Sequence, residues 1–461
     1  MTCPKMWCPS RRGTRVPDLL ASLPDRPVVL AHALREGRLL FRERAALERY
    51  AARQAQEHLR WVAAYSLYTA RRFLEVGLPL RAWRELPPVG KAEMTAHFDT
   101  LNTAGLRLED VRRAALRAEE SRDFSPELVT PAGRFTVGLS TGTSGTRGVF
   151  VVGRAERLAW AGVMLRRLLP RWPLGLLRPA RVAFVLRAEG GLYRSVQGRH
   201  LSFHFLDLLR PVPELARELT ELAPTLLVGP PSVLRALLEA GAQARPERVV
   251  SVAEVLDPDD RRALSAGFGP VVEVYQATEG LLGLPCAHGS LHLNEAHVHF
   301  DFEDLGGGRV RPVVTDLRRR VQPLIRHRLD DVLVLDTPCP CGLAARRVAH
   351  IAGRQDDALR LPARAGGQVT VWPDFLRGAL DRVPGLREYR AEQTGPRTLA
   401  LGLDPDGPEV CAAATAELRR ALARSGAAEP EVMYGPLLAP PAGTKRRRVV
   451  RTWQDGGGGA A

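Results

Sequence analysis

Val271-Val272-Glu273-Val274-Tyr275-Gln276-Ala277-Thr278-Glu279-Gly280 joins a short β-branched run to a polar end closed by glycine. The apolar half suits a buried strand, and the polar half suits the loop that follows one. The same design recurs upstream. Val182-Ala183-Phe184-Val185-Leu186, Thr225-Leu226-Leu227-Val228 and Arg248-Val249-Val250-Ser251-Val252 are short apolar runs, and Pro213–Leu222, Ser232–Ala240 and Pro258–Ala266 between them have helical spacing. Strand alternating with helix predicts an α/β fold, with a parallel sheet covered on both faces. Ligands of such sheets bind beyond the carboxyl ends of the strands. Ala253-Glu254 and Gln276–Gly280 stand at those ends.

Toward the N-terminus, Glu36 to Phe73 reads as one or two long amphipathic helices. Trp61, Tyr65 and Tyr68 fall at i, i+4 and i+7, a stripe expected to pack in the core. Leu86-Pro87-Pro88-Val89-Gly90 breaks the pattern, and Lys91 opens the next segment. Further on, Leu139-Ser140-Thr141-Gly142-Thr143-Ser144-Gly145-Thr146-Arg147-Gly148 packs hydroxyls and glycines before the apolar run Val149–Val152. Glycines free the backbone for positive φ, and hydroxyls beside exposed N–H groups can wrap a phosphate. By itself the loop also fits a plain surface turn, because it lacks the spacing of a Walker loop. Glu156 to Leu169 is expected to be helical and to end at Pro170, with Pro173–Pro179 a loop.

Toward the C-terminus, composition shifts near Gly353-Arg354-Gln355-Asp356-Asp357. Beyond it the pattern predicts a helix around Pro373–Arg382, strands at Glu388–Gln393 and Arg397–Leu401, a helix at Glu409–Arg424 and a strand at Glu431–Tyr434. This is a small α+β unit. The expected division is a leader over 1–17, a large unit over 18–355, a small mobile unit over 356–453 and a disordered glycine-alanine tail over 454–461.

The chain has 461 residues, 45% of them hydrophobic, enough for a large core and more than one domain. It contains no apolar stretch near the roughly 20 residues that cross a bilayer, and Met1–Arg15 has no apolar core of a secretory signal. Six cysteines over this length do not make a disulfide framework, so a cytoplasmic, reducing setting is expected. The net charge of +15 raises the question of nucleic acid. Arginines are spread evenly, however, and aromatic content is 6%, so no dedicated binding stripe is expected. Lys5, Lys91 and Lys445 are the only lysines among 66 basic residues, which makes each a pointer.

Further motifs complete the set. Val228-Gly229-Pro230-Pro231-Ser232 resembles a TPS turn, Tyr275–Glu279 a YGxTE signature, and Pro323-Leu324-Ile325-Arg326-His327-Arg328-Leu329-Asp330-Asp331 a PLIRYRTRD segment. Ile351–Asp357 resembles IxGRxDD, Trp372-Pro373 an FP pair, and Gly443-Thr444-Lys445-Arg446-Arg447-Arg448-Val449 a closing GKxRRV. Taken in order from about Leu86 to Arg451, they resemble the adenylate-forming superfamily. Its phenylacetate–CoA ligase branch is nearest, with relatives of the synthetase that adenylylates a deazaflavin coenzyme.

The resemblance implies roles for individual residues. Ser140, Thr141, Gly142, Thr143, Ser144, Gly145 and Thr146 match the ATP phosphate loop SSGTTGKP, but Thr146 and Arg147 stand where lysine and proline are usual. Arg147 could still offer charge to a phosphate. Ala253 and Glu254 match the loop along adenine; Tyr275 with Gln276 would face the base, Thr278 reach the α-phosphate, and Glu279 hold Mg²⁺. Asp331 would accept both ribose hydroxyls, with Asp330 its rival, and Arg354 would contact the nucleotide. Arg326 and Arg328 also fit plain ion-pair residues. Asp356 would be the hinge and Lys445 the catalytic lysine. Cys286, Cys339 and Cys341 with His288 or His292 could complete a tetrahedral zinc set; the resemblance favours His292 and implies a structural Zn²⁺. Cys411 reads as a core helix residue.

The implied activity is ATP-dependent activation of a carboxylic acid as an acyl-adenylate, followed by transfer to coenzyme A or another thiol. The expected partners are therefore a small-molecule carboxylic acid and a thiol acceptor, without membrane or specific nucleic acid. Oligomeric state stays open, a homodimer included. Two alternatives remain: a nucleotidyltransferase placing AMP on a phenolic hydroxyl, and a non-catalytic nucleotide- or nucleic-acid-binding relative. The acid pocket is expected between the 181–240 region and the strand ends, where Phe184, Tyr193, Phe203 and Phe205 could contribute.

Overall fold

The β-branched runs pair into a parallel sheet of five strands. Its order is Leu201–Asp207, Ala180–Leu186, Leu226–Gly229, Arg248–Ser251 and Val271–Glu273. The computed structural model describes residues 23–139, 147–173, 177–186, 200–438 and 446–453. Helices Val212–Leu222, Pro231–Glu239 and Pro258–Gly267 carry proline in the first turn, where its fixed φ suits a helix start. They cover one face through Leu215, Leu219, Leu234, Leu237, Leu264 and Phe268. Each such fully buried side chain contributes roughly 1.5–3 kcal/mol. The other face packs on Val163, Met164 and Leu168 of helix Arg154–Leu168 and on Leu281 and Leu284.

An antiparallel sheet stands beside it, in the order Val298–Gly306, Arg309–Asp316, Asp331–Leu335 and Val348–Arg354, with His327–Arg328 also paired to Arg309–Asp316. Both sheets end at one place. Ser251 runs out into the loop 252–257, while Glu273 leads through Val274 into a further strand, Tyr275–Ala277, which pairs with Gly280–Pro285 where the sequence suggested a loop; Asp331 and Arg354 are register partners at the neighbouring edge.

The small C-terminal unit is a sheet of Glu431–Gly435, Thr398–Asp404, Glu388–Gln393 and Val449–Arg451, packed by helices Pro373–Leu380 and Pro408–Arg424. Leu376, Leu380, Leu399, Leu401, Leu418 and Leu422 form its core. A hairpin of Leu359–Pro362 and Gln368–Val371 joins it to the large unit. Cys411 lies half-buried on helix Pro408–Arg424. Among the described residues no helix is long and apolar enough to cross a membrane.

The aromatic stripe is a correction. The helices are Arg44–Tyr65 and Leu67–Val76, broken at Ser66, whose hydroxyl accepts the Thr69 N–H at 3.2 Å. Trp61 is half-buried against the core of Leu59, Val62 and Phe73, Tyr65 is exposed with its ring tilted 4.8 Å from that of Trp61, and Tyr68 is buried in a separate cluster with Val89 and Met94. The break changes the phase of the helix, so the three rings do not share one core face. Glu36 belongs to the preceding helix, Asp25–Gly37. A Cβ at Gly162 would come within 2.4 Å of His32 Cβ, so that glycine allows helices Asp25–Gly37 and Arg154–Leu168 to touch.

Candidate functional site

Where the two sheets and the small unit meet lies a cleft of about 220 Å³. Ala253, Glu254, Tyr275, Gln276, Thr278, Glu279, Asp331 and Arg354 all line it. Ser140–Thr146 and Lys445 lie outside the described residues, as does Tyr193. Their neighbours are placed: Gly148 lines an adjoining recess of about 30 Å³, and Arg446 lines the cleft itself. Asp356 stands in the turn Gln355–Asp357, accepting from Arg354 Nε at 3.0 Å.

One end of the cleft is a closed set of partners. Tyr275, buried, donates its hydroxyl to Asp331 Oδ2 at 2.7 Å. Burial first, and the Asp331 carboxylate second, push the phenol well above its ordinary range, so it stays a donor. Arg354 donates to Asp330 Oδ2 at 3.1 Å, and Arg311 reaches the other oxygen of Asp330 at 3.3 Å. Asp330 is thereby engaged in ion pairs, while Asp331 faces Tyr275. Arg326 and Arg328 are ion-pair residues, bound to Asp301 and Glu303 respectively.

At the other end, Glu279 lines both the cleft and the recess, together with Thr278, His327 and Lys91. Burial alone would raise the Glu279 carboxyl, but the His327 ring beside it brings the group down to about 2, so it is ionised. His327 occupies the position of tyrosine in PLIRYRTRD. Lys91 was a pointer without a place in sequence. Here Val89 pairs with His327, through Val89 N–H to Arg326 O and Arg328 N–H to Val89 O, both 2.9 Å, and this carries Lys91 to the recess. A Cβ at Gly148 would stand 2.6 Å from Lys91 Cε, so the lysine stem lies against that glycine. Arg147 differs from the expectation of a phosphate contact: its guanidinium forks onto Glu119 at 2.8 and 2.5 Å.

No protein-family model matches the chain, and a search of curated proteins finds no match. Solved structures do match. 2-Hydroxyisobutyryl-CoA ligase, in the postadenylation state in complex with 2-HIB-AMP, has a TM-score of 0.65 at 18% identity, covering 87% of this chain and 88% of that one. The chain has the fold of the adenylate-forming ligases. Anthranilate CoA ligase AuaEII in complex with anthranoyl-AMP follows at 0.52 and 14%, over 68% and 67% of the two chains. GH3.15 acyl acid amido synthetase gives 0.52 and 13%, over 84% and 86%.

Within this ligase fold, two residues that sequence reasoning missed brace the cleft. Arg319 donates to Thr278 O and to Gln322 Oε1, each at 2.8 Å. Gln322 Oε1 also accepts Val151 N–H at 2.9 Å, and its Nε2 donates to Val149 O at 3.1 Å. The turn at Thr278 and the strand Val149–Gly153 are thereby tied together. Both braces lie in Asp316–Gln322, a run of arginines that carries no motif.

The small unit closes the cleft with arginines. Arg448 donates to Asp257 Oδ2 at 3.0 Å and to Glu388 Oε1 at 2.8 Å, and Arg377 Nε meets Asp257 Oδ1 at 3.0 Å. Arg446 pairs with Asp260 and, at 2.8 Å, with Glu388. Glu254 differs from a residue turned wholly toward a base: its carboxylate accepts the Arg446 N–H at 2.9 Å and the Ser232 N–H at 3.3 Å. It therefore couples the strand-end loop to the residue after Lys445.

Phe184, Phe203 and Phe205, expected at an acid pocket, pack with Trp160 and Leu186 in the cluster under helix Arg154–Leu168 and do not line the described cleft.

Away from the cleft, Cys286, His292, Cys339 and Cys341 come together with ligand atoms within 4.8 Å of one another. His292, not His288, is the imidazole of the set. The Cys286 and Cys339 sulfurs are 3.9 Å apart, and Cys341 Sγ is 3.5 Å from His292 Nε2. Zn–S bonds of about 2.3 Å in a tetrahedron set sulfurs about 3.8 Å apart, close to the Cys286–Cys339 separation, so the donor set suits zinc. His292 Nδ1 lies 2.8 Å from Ala345 O, an outer contact of the kind that orients a metal-bound imidazole. Burial would raise the Cys339 thiol, but the Cys341 N–H and His292 bring it down to about 6.

Proposed function

We propose that this chain uses ATP to activate a carboxylic acid as an acyl-adenylate, releasing pyrophosphate, and then transfers the acyl group to a thiol such as coenzyme A. The observation that carries this reading is the Tyr275–Asp331 pair and Glu279 opening into one cleft beside the segment that follows Lys445. The fold shared with ligases solved with acyl-adenylates supports it.

In this mechanism Asp331 accepts the two ribose hydroxyls, and Arg354 lies at the nucleotide's edge. The 140–148 loop and Lys91 hold the β- and γ-phosphates. A substrate carboxylate oxygen attacks the α-phosphorus, and the bond to the pyrophosphate oxygen breaks. Lys445 steadies the carboxylate and the α-phosphoryl oxygens, where negative charge gathers. Glu279, ionised in the cleft, is the residue to hold Mg²⁺, which when bound neutralises charge on the phosphate oxygens. The small unit, from 356 onward, then turns about Asp356 and admits the thiol. The sulfur attacks the acyl carbon and AMP leaves. Cys286, His292, Cys339 and Cys341 hold a structural Zn²⁺ apart from this chemistry. Metal analysis tests that assignment, and a zinc-free folded preparation would remove it.

Pyrophosphate exchange across aromatic, fatty and amino acids, with and without coenzyme A, tests the function. A thioester with free AMP is the expected product, whereas a stable AMP ester would show transfer to a hydroxyl instead. Exchange that survives Lys445→Ala, Glu279→Ala and Asp331→Ala alike would sink the site assignment.

A further inference from the structure

His327 is held by backbone pairing on both sides. Its strand pairs with Val314 on one side and bridges Val89 on the other, and the turn before it is set by Arg326 at φ +57. Only 2% of the residue is exposed. Its Nδ1 is buried and has no hydrogen-bond partner among the described residues. Its Nε2 stands 3.7 Å from Glu279 Oε1. A carboxylate only accepts, so the nitrogen facing it carries the proton whether the ring is neutral or charged.

A buried ring nitrogen without a partner costs free energy, which an apolar side chain of similar size would not incur. Packing therefore does not account for a histidine at this position. What the imidazole adds is one donor aimed at one oxygen of Glu279. The separation is just beyond hydrogen-bond length, and a small rotation of the flexible glutamate closes it. We propose that His327 is a positioning residue: it holds Oε1 of Glu279 so that the second oxygen faces the cleft and takes the divalent cation that accompanies ATP. This rests on the reading that Glu279 holds that cation. Donors behind a metal-binding carboxylate are worth about 10- to 100-fold in metal affinity.

Calorimetric titration of the full chain with MgATP, and with ATP in excess chelator, separates the cation's contribution from that of the nucleotide. His327→Phe is expected to lose about 10- to 100-fold in MgATP affinity while metal-free ATP binds as in the wild type. His327→Gln, which returns an N–H donor, is expected to recover most of the loss. Should the phenyl ring prevent folding, His327→Leu supplies the donor-free variant. Equal weakening of both titrations would show a merely structural role and overturn the proposal. So would full MgATP affinity in the donor-free variant while Glu279→Gln loses it. Full MgATP affinity in Glu279→Gln would instead overturn the reading of Glu279 itself, and the proposal with it.

Discussion

At one end of the cleft Tyr275 bonds to Asp331 and Arg354 to Asp330, and the register of two neighbouring strands sets Asp331 opposite Arg354. At the other, Glu279, His327, Lys91 and Gly148 arrive from separate segments, and His327 stands 3.7 Å from Glu279, just beyond hydrogen-bond length. The difference is one of preorganisation. Groups that hold each other in place before a ligand arrives lose little freedom on binding, whereas convergent groups are ordered by the ligand they bind. The first end should therefore respond to loss of any single carboxylate, and the second should share its work among several cations.

Asp331→Ala tests the first end and carries the largest expected effect. Two hydrogen bonds to a carboxylate, at about 1.5–3 kcal/mol each, correspond to about 100-fold or more in affinity. The loss should appear equally with ATP and AMP, since both carry the ribose. A loss confined to ATP would break the comparison, because it would place Asp331 at the phosphates.

Lys91→Met comes next. Removing one cation from a shared cluster is expected to weaken ATP and pyrophosphate binding about tenfold, or about 1.4 kcal/mol, and to leave AMP untouched. Gly148→Ala should produce a smaller loss of the same kind, because the new Cβ presses on the flexible end of Lys91. Isothermal titration with the three ligands measures both variants. If AMP weakens as much as ATP, Lys91 does not belong to the phosphate end. Tyr275→Phe should cost only severalfold in AMP affinity, one neutral donor at about 0.5–1.5 kcal/mol, since the ring still covers the cleft.

The two ends also differ in how far they could be read without coordinates. Tyr275 sits at the end of an apolar run, and runs of that kind announce buried strands by local pattern alone, while Asp331 closes a segment that resembles PLIRYRTRD. The helices between the parallel strands were legible by their spacing, to within a residue or so of their bounds. Lys91 was not, because its place depends on the pairing of Val89 with His327, residues far apart in sequence. No local periodicity encodes such a bridge. Arg319 and Gln322 were hidden likewise, since their partners are backbone groups of other segments. The Trp61, Tyr65 and Tyr68 stripe held only in part: Trp61 and Tyr68 pack on separate clusters and Tyr65 is exposed, because Ser66 ends one helix and caps the next. The cysteine set was half legible. Cys339 and Cys341 are local, whereas their meeting with Cys286 and His292 is tertiary.

Arg147 gives the finest test, and the smallest expected effect. It stands in the glycine-and-hydroxyl stretch where a cation would meet phosphate, and sequence alone invites that role. Its guanidinium is instead forked onto both oxygens of Glu119 at the end of helix Leu108–Ser121, an arrangement in which the planar donor pair matches the carboxylate. Turning that group to a ligand would require giving up both contacts and leaving Glu119 without them. Lys91, by contrast, already lies against Gly148 and lines both the cleft and the recess. Arg147→Ala is therefore expected to change ATP affinity by less than about threefold, under roughly 0.7 kcal/mol, while lowering the melting temperature by about a degree or two. A tenfold loss of ATP affinity with an unchanged melting temperature would return the phosphate contact to the loop and make Lys91 its accessory.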